Sequence, residues 1–135
     1  MFGRLFLATL ALCAAVSAAP TASNETEVLD KRTTHTGQAT YFYVGLGACG
    51  YTDTDDDAII AISSDIYGSG GNCNQWIKIT NTDNGNVAYG KTRDSCPGCD
   101  STSLDLSPSL FKQLGDLDDG VLPIKWHFMS KEWSN

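Results

Sequence analysis

Residues 93–108 read Arg-Asp-Ser-Cys-Pro-Gly-Cys-Asp-Ser-Thr-Ser-Leu-Asp-Leu-Ser-Pro, and such a run leaves a backbone few choices. Cys96 and Cys99 bracket Pro97-Gly98, a pair that forces a loop. Leu104 and Leu106 are two apart, so on an extended backbone they share a face and Asp105 takes the other. Ser107-Pro108 then reads as a helix N-cap followed by proline at the first helical position. Leu110, Phe111 and Leu114 give the helix its apolar stripe, and Gly115 is its stop. Asp105 is the leading candidate for a chemical role.

The chain has 135 residues, and not all of them belong to a domain. Residues 1–19 carry Arg4, a short apolar middle and a small-residue end, the pattern of a secretory signal peptide. The apolar run is shorter than the roughly 20 residues a membrane span needs. Residues 20–32 are polar, lack periodicity and end in Lys31-Arg32. This dibasic pair resembles a kexin-type processing site and points to a propeptide and a fungal-style secretory route. The sequon Asn24-Glu25-Thr26 lies in that segment. A single domain over residues 33–135 is the expectation, and its location is extracellular.

Residues 33–135 hold thirteen carboxylates against six Lys and Arg. Such an excess argues against nucleic acid or an anionic membrane as partner, because phosphate binding needs concentrated positive charge. Cys13 falls in the leader, so Cys49, Cys73, Cys96 and Cys99 remain. An even count in a small exported domain implies two disulfides, with three connectivities open. A zinc site would need a second closely spaced pair besides Cys96/Cys99. A thioredoxin-like role would need the pair to open a helix. Neither condition is met, and no metal or other cofactor is expected.

The pattern predicts mostly strands. Residues 37–44 are β-branched and aromatic, with Tyr41 and Tyr43 on one face and Thr40 and Phe42 on the other. Residues 45–51 form a glycine-rich turn, and 58–62 form a short apolar strand. One helical turn fits 63–67. Residues 76–93 read as a hairpin turning at Asp83-Asn84-Gly85. The last strand, 122–129, aligns Ile124, Trp126 and Phe128 on one face. Short strands, glycine turns and one real helix predict an all-β fold, a small closed barrel.

Four blocks in order carry a family resemblance: Gly37-Gln38-Ala39-Thr40-Tyr41-Phe42, Gly47-Ala48-Cys49-Gly50-Tyr51, residues 93–99, and Leu104-Asp105-Leu106-Ser107. Together they resemble the RlpA-like double-psi β-barrel family, which includes expansin domain 1, barwin-like and kiwellin-like proteins and the family 45 endoglucanases. The resemblance implies a six-stranded double-psi barrel, a groove lined by Thr40, Tyr41, Asp94 and Asp105, and the disulfides Cys49–Cys73 and Cys96–Cys99. In the enzymes of the family the residue matching Asp105 is the proton donor.

Departures limit the function. Glycosidases place two carboxylates about the scissile bond, and the second acid of the endoglucanase relatives is replaced here by Tyr43-Val44-Gly45. The expectation is a monomeric, non-hydrolytic binding protein. It would act at cell-wall polysaccharide or on a secreted protein such as a papain-type protease. The enzymatic alternative is a lytic transglycosylase using Asp105 alone. Blander roles compete: Asp105 as a helix-dipole partner, Tyr41, Tyr43, Trp76 and Trp126 as core, His127 as surface, and residues 53–57 as a solvated acidic loop. That loop lacks the glycine and glutamate of an EF-hand, since Ala58 and Ser64 stand in their places.

Overall fold

The computed structural model describes residues 33–135; the signal-peptide and propeptide assignments lie outside them. Six strands close into a barrel: β1 (His35–Tyr41), β2 (Ile59–Ser63), β3 (Trp76–Asn81), β4 (Val87–Cys96), β5 (Leu104–Leu106) and β6 (Leu122–Phe128). Their order around the barrel is β1-β5-β2-β4-β3-β6. Two pairs are parallel, β1 with β5 and β2 with β4; every other pair is antiparallel. Parallel neighbours need long crossovers. Closure also removes the unpaired edges that an open sheet would expose.

Alternation sets which side chains enter the barrel. On β3 Ile77 and Ile79 are buried, and on β6 Leu122, Ile124, Trp126 and Phe128 are. Strand β2 is buried throughout, as the predicted continuous apolar run requires. Helix α1 is a single turn, Ser64–Tyr67, and α2 is Pro108–Leu114. Leu110, Phe111 and Leu114 of α2 are fully buried in the same core as the strands. Gly90 makes room for it, because a Cβ there would lie 2.4 Å from Leu110 Cδ2 and 2.8 Å from Ile60 Cδ1. The hairpin turn falls where expected, with Gly85 at φ 77°.

Three local expectations are corrected. Strand β1 runs His35–Tyr41, so Tyr43 lies outside it, 77% exposed in the following loop. Ser107 occupies the N-cap position, yet its hydroxyl does not cap the helix. It donates to Asp57 O at 2.6 Å and accepts from Ile59 N at 3.1 Å, because a buried hydroxyl goes to whatever backbone groups would otherwise be unmatched. Residues 53–57 are more than a solvated loop. Asp55 Oδ1 accepts from Val44 N, Asp57 Oδ2 accepts from Thr54 N, and Asp53 is ion-paired with Arg93 at 3.5 Å.

Both disulfides are present, Cys49–Cys73 and Cys96–Cys99. Among the described residues no helix is long and apolar enough to cross a membrane.

Candidate functional site

Topology builds one row of side chains across four strands. Thr40 of β1 is in register with Asp105 of β5, Asp105 with Ala61 of β2, and Ala61 with Asp94 of β4. The two carboxylates therefore stand two strands apart, roughly 10 Å between their backbones. A register shift in β4 between the partners of Ile60 and Ala61 lets Arg93 and Asp94 break the alternation. Such a bulge re-aims successive side chains, and here it places Asp94 level with Asp105.

Within the row the two acids differ. Thr40 Oγ1 donates to Asp105 Oδ1 at 2.9 Å. Burial pushes the Asp105 carboxyl above the ordinary aspartate range. The Thr40 hydrogen bond pulls it back, the charge of Asp94 raises it, and the Leu106 backbone N–H lowers it again. Asp94 Oδ1 instead accepts from two backbone N–H groups, Ala48 and Ser95, each at 2.8 Å. Asp94 thus anchors the loop that follows β1. Tyr41, the remaining groove residue of the resemblance, packs its ring edge-on against Phe111 with centroids 5.0 Å apart.

A raised carboxyl means the folded chain holds the Asp105 proton more tightly than the unfolded chain does. This group's contribution to stability is therefore greatest in acid and declines as pH rises through the interval above the ordinary aspartate value. An amide in place of this carboxyl would still accept from Thr40 but carry no charge. We expect Asp105→Asn to flatten that part of the stability–pH profile and to be at least as stable as the native protein at neutral pH. Urea unfolding from acid to neutral pH checks this; a variant that loses stability at neutral pH would show the carboxylate to be net stabilising.

Sequence reasoning found the glycine-rich turn at 45–51 but missed how the loop between β1 and β2 is braced and that it holds Tyr43 and Leu46 outward. It is held at several points: Val44 N on Asp55, Ala48 N on Asp94, Gly47 N on Tyr51 O at 3.0 Å, and Asp53 N on Gly45 O at 3.1 Å. The Cys49–Cys73 bridge ties it to the segment before β3. Gly47 is obligatory, since a Cβ there would lie 2.3 Å from Arg93 O. Behind the loop the Arg93 guanidinium lies over the Tyr51 ring, 3.9 Å from its centroid, and donates to Asn74 Oδ1 at 2.5 Å. On this stiff frame Tyr43 and Leu46 are 77% and 75% exposed.

Other predicted residues are placed as follows. Trp126 is buried and its indole N–H donates to Thr102 O at 2.8 Å. Trp76 lies on the outer face with Lys91 above its ring. His127 is half-buried on β6, with Nδ1 3.1 Å from Phe128 O. Among the described residues no cluster of three His, Cys, Asp or Glu could hold a metal.

No protein-family model matches the chain. A papain inhibitor of Streptomyces mobaraensis is 34% identical over 101 residues, covering 70% of this chain and 71% of that protein. Among solved structures, the Streptomyces papain inhibitor superposes with a TM-score of 0.68 at 30% identity, covering 73% of this chain and 96% of that one. An expansin variant of Clavibacter michiganensis, solved in complex with cellohexaose, gives a TM-score of 0.68 at 26% identity. It covers 76% of this chain, which spans only 54% of the expansin. A six-stranded closed barrel with two parallel pairs, two disulfides and these relatives settle the assignment: the chain belongs to the RlpA-like double-psi β-barrel family, with expansin-like and barwin-like proteins.

Proposed function

We propose that this protein is an extracellular, non-hydrolytic binding protein that inhibits a secreted papain-type cysteine protease through its 43–51 loop. The carrying observation is the pair Tyr43 and Leu46, two large apolar side chains at 77% and 75% exposure on a cross-braced loop. A free loop loses conformational entropy when it docks, whereas one already fixed by hydrogen bonds and a disulfide loses little. An exposed aromatic such as Tyr43 is a frequent centre of binding energy, and an apolar neighbour such as Leu46 excludes water around it. The Streptomyces inhibitor, matched over nearly its whole length, supports a protease as the partner.

Leu46→Asp is expected to weaken papain inhibition about thirtyfold or more, a loss of roughly 2 kcal/mol, without changing the thermal midpoint. Titrating papain activity with native and variant protein measures it. Equal inhibition by both would remove the loop from the interface, and no inhibition by the native protein would end the protease reading.

Hydrolysis is disfavoured because Tyr43-Val44-Gly45 stands where the endoglucanase relatives carry their second acid, while Asp94 Oδ1 holds the Ala48 and Ser95 N–H groups. A glycan reading survives on one observation, the half-buried, Thr40-bonded Asp105 whose proton is held tightly. Such a group suits general-acid donation to a glycosidic oxygen or hydrogen bonding to a sugar hydroxyl. Sedimentation with cellulose, chitin and peptidoglycan separates the outcomes. Binding or anhydro-sugar release that disappears in Asp105→Asn supports the glycan site; no sedimentation by either form dismisses it.

A further inference from the structure

The outer face of β6 and β3, which lie across the barrel from β5 and β2, continues onto β4 and is positively charged. Register places His127 beside Lys78 and Lys78 beside Tyr89; Lys125 faces Thr80, and Trp76 faces Lys91. The outward positions of β3, β4 up to Lys91, and β6 from Lys125 hold no carboxylate. This occurs in a domain where acids outnumber Lys and Arg by thirteen to six. Lys78, Lys125 and His127, with the hydroxyl-bearing Thr34 and Thr80, line a depression of about 200 Å³.

Beside the depression lies an aromatic platform. The C-terminal segment turns back over the sheet, with Trp133 N bonded to Ser130 O at 3.0 Å. Its ring stacks on Tyr89, centroids 4.9 Å apart and 28° between planes, and meets Trp76 edge-on at 6.0 Å. All three rings are partly exposed. Carboxylates border this strip at Glu132, next to Trp133, and at Asp53 and Asp57 across a shallow depression near Lys91 and Trp76. The anion-accepting end is therefore the Lys78–Lys125–His127 end.

We propose that this face binds an acidic polysaccharide, a chain of uronate sugars. One sugar's carboxylate enters the Lys78–Lys125–His127 depression, and the neighbouring sugar lies on the face of Trp133 that Tyr89 leaves open. Charge complementarity selects the anion. The rings select a sugar, because the apolar C–H face of a pyranose packs on the electron-rich face of an aromatic ring. An acidic peptide would use the lysines but would not need the platform. This site is separate from the protease-binding loop and stands or falls independently of it.

Calorimetric titration of the whole protein with polygalacturonate oligomers tests the assignment, with cellohexaose and poly-glutamate as comparison probes. Polygalacturonate is expected to bind more weakly as salt rises, since these charges are exposed. Lys78→Gln with Lys125→Gln should lower affinity about tenfold, and Trp133→Ala about threefold to tenfold. The proposal is overturned if polygalacturonate fails to bind. It is equally overturned if the lysine pair can be replaced without effect, if cellohexaose binds as well, or if poly-glutamate matches it and Trp133→Ala changes nothing. Because the lysine variants touch only surface groups, they keep the test decisive even if Trp133→Ala disturbs the tail.

Discussion

A Gly37→Ala substitution is expected to destabilise the barrel by about 3 kcal/mol, overpacking a site that has no room. The added methyl would lie 2.1 Å from the Thr102 carbonyl oxygen and 2.6 Å from its carbon. Backbone, not a flexible side-chain tip, is in the way. Residues 100–103 would have to lift from β1, and with them the carbonyl that accepts the Trp126 indole N–H. Asp105 follows two residues after Ser103, so the Thr40–Asp105 hydrogen bond would be disturbed too. In a domain of about 100 residues the loss corresponds to a midpoint lowered by roughly 10–20 °C. Thermal unfolding followed by tryptophan fluorescence measures the loss of stability; a midpoint within a few degrees of native would show that the 96–103 loop yields without cost.

The second large effect concerns the Cys49–Cys73 bridge, which closes a loop of 24 residues. Replacing both cysteines by serine is expected to cost about 3 kcal/mol, mostly by freeing the unfolded chain. If the 43–51 loop is the inhibitory element, the same variant should also inhibit papain less well at temperatures where it remains folded. The two losses are separable by working well below the midpoint. A variant that is less stable but inhibits papain as well as the native protein would show that the hydrogen bonds to Asp55 and Asp94 suffice to fix the loop.

Much of this was legible in the sequence. Alternation in 76–80 and 122–128 located strands β3 and β6, and Leu104-Asp105-Leu106 placed Asp105 on the outward side of a three-residue strand. The family blocks supplied the disulfide pairing, which spacing left open. What was not legible depends on contacts between distant segments. No local signal says that Tyr43 leaves the strand while Tyr41 stays, because both are equally good strand residues. That exit is fixed by Asp55, eleven positions away from Val44, whose N–H it accepts. The Asp105 row required a strand order, β1-β5-β2-β4, that no run of residues encodes. The Ser107 signal was correct for the helix start and misleading for its hydroxyl, because buried Ile59 N and Asp57 O competed for it. Nothing local ties Trp133 to Tyr89 either; only the return of the tail over the sheet stacks the two rings.

Strand β1 has its two partners, β5 and β6, in the last third of the chain. Neither neighbour can dock until a loop of more than sixty residues has been closed, as the 65-position span from Thr40 to Asp105 shows, so the first strand waits on the last ones. Folding of this kind is rate-limited by the search for non-local contacts and runs on a millisecond-to-second scale rather than in microseconds. During that interval both edges of β1 are unpaired, and an unpaired edge is a template for other chains. The closed barrel is thus well protected against association, while its own assembly passes through a state that is not, and dilute, slow refolding should recover more protein than rapid refolding at high concentration.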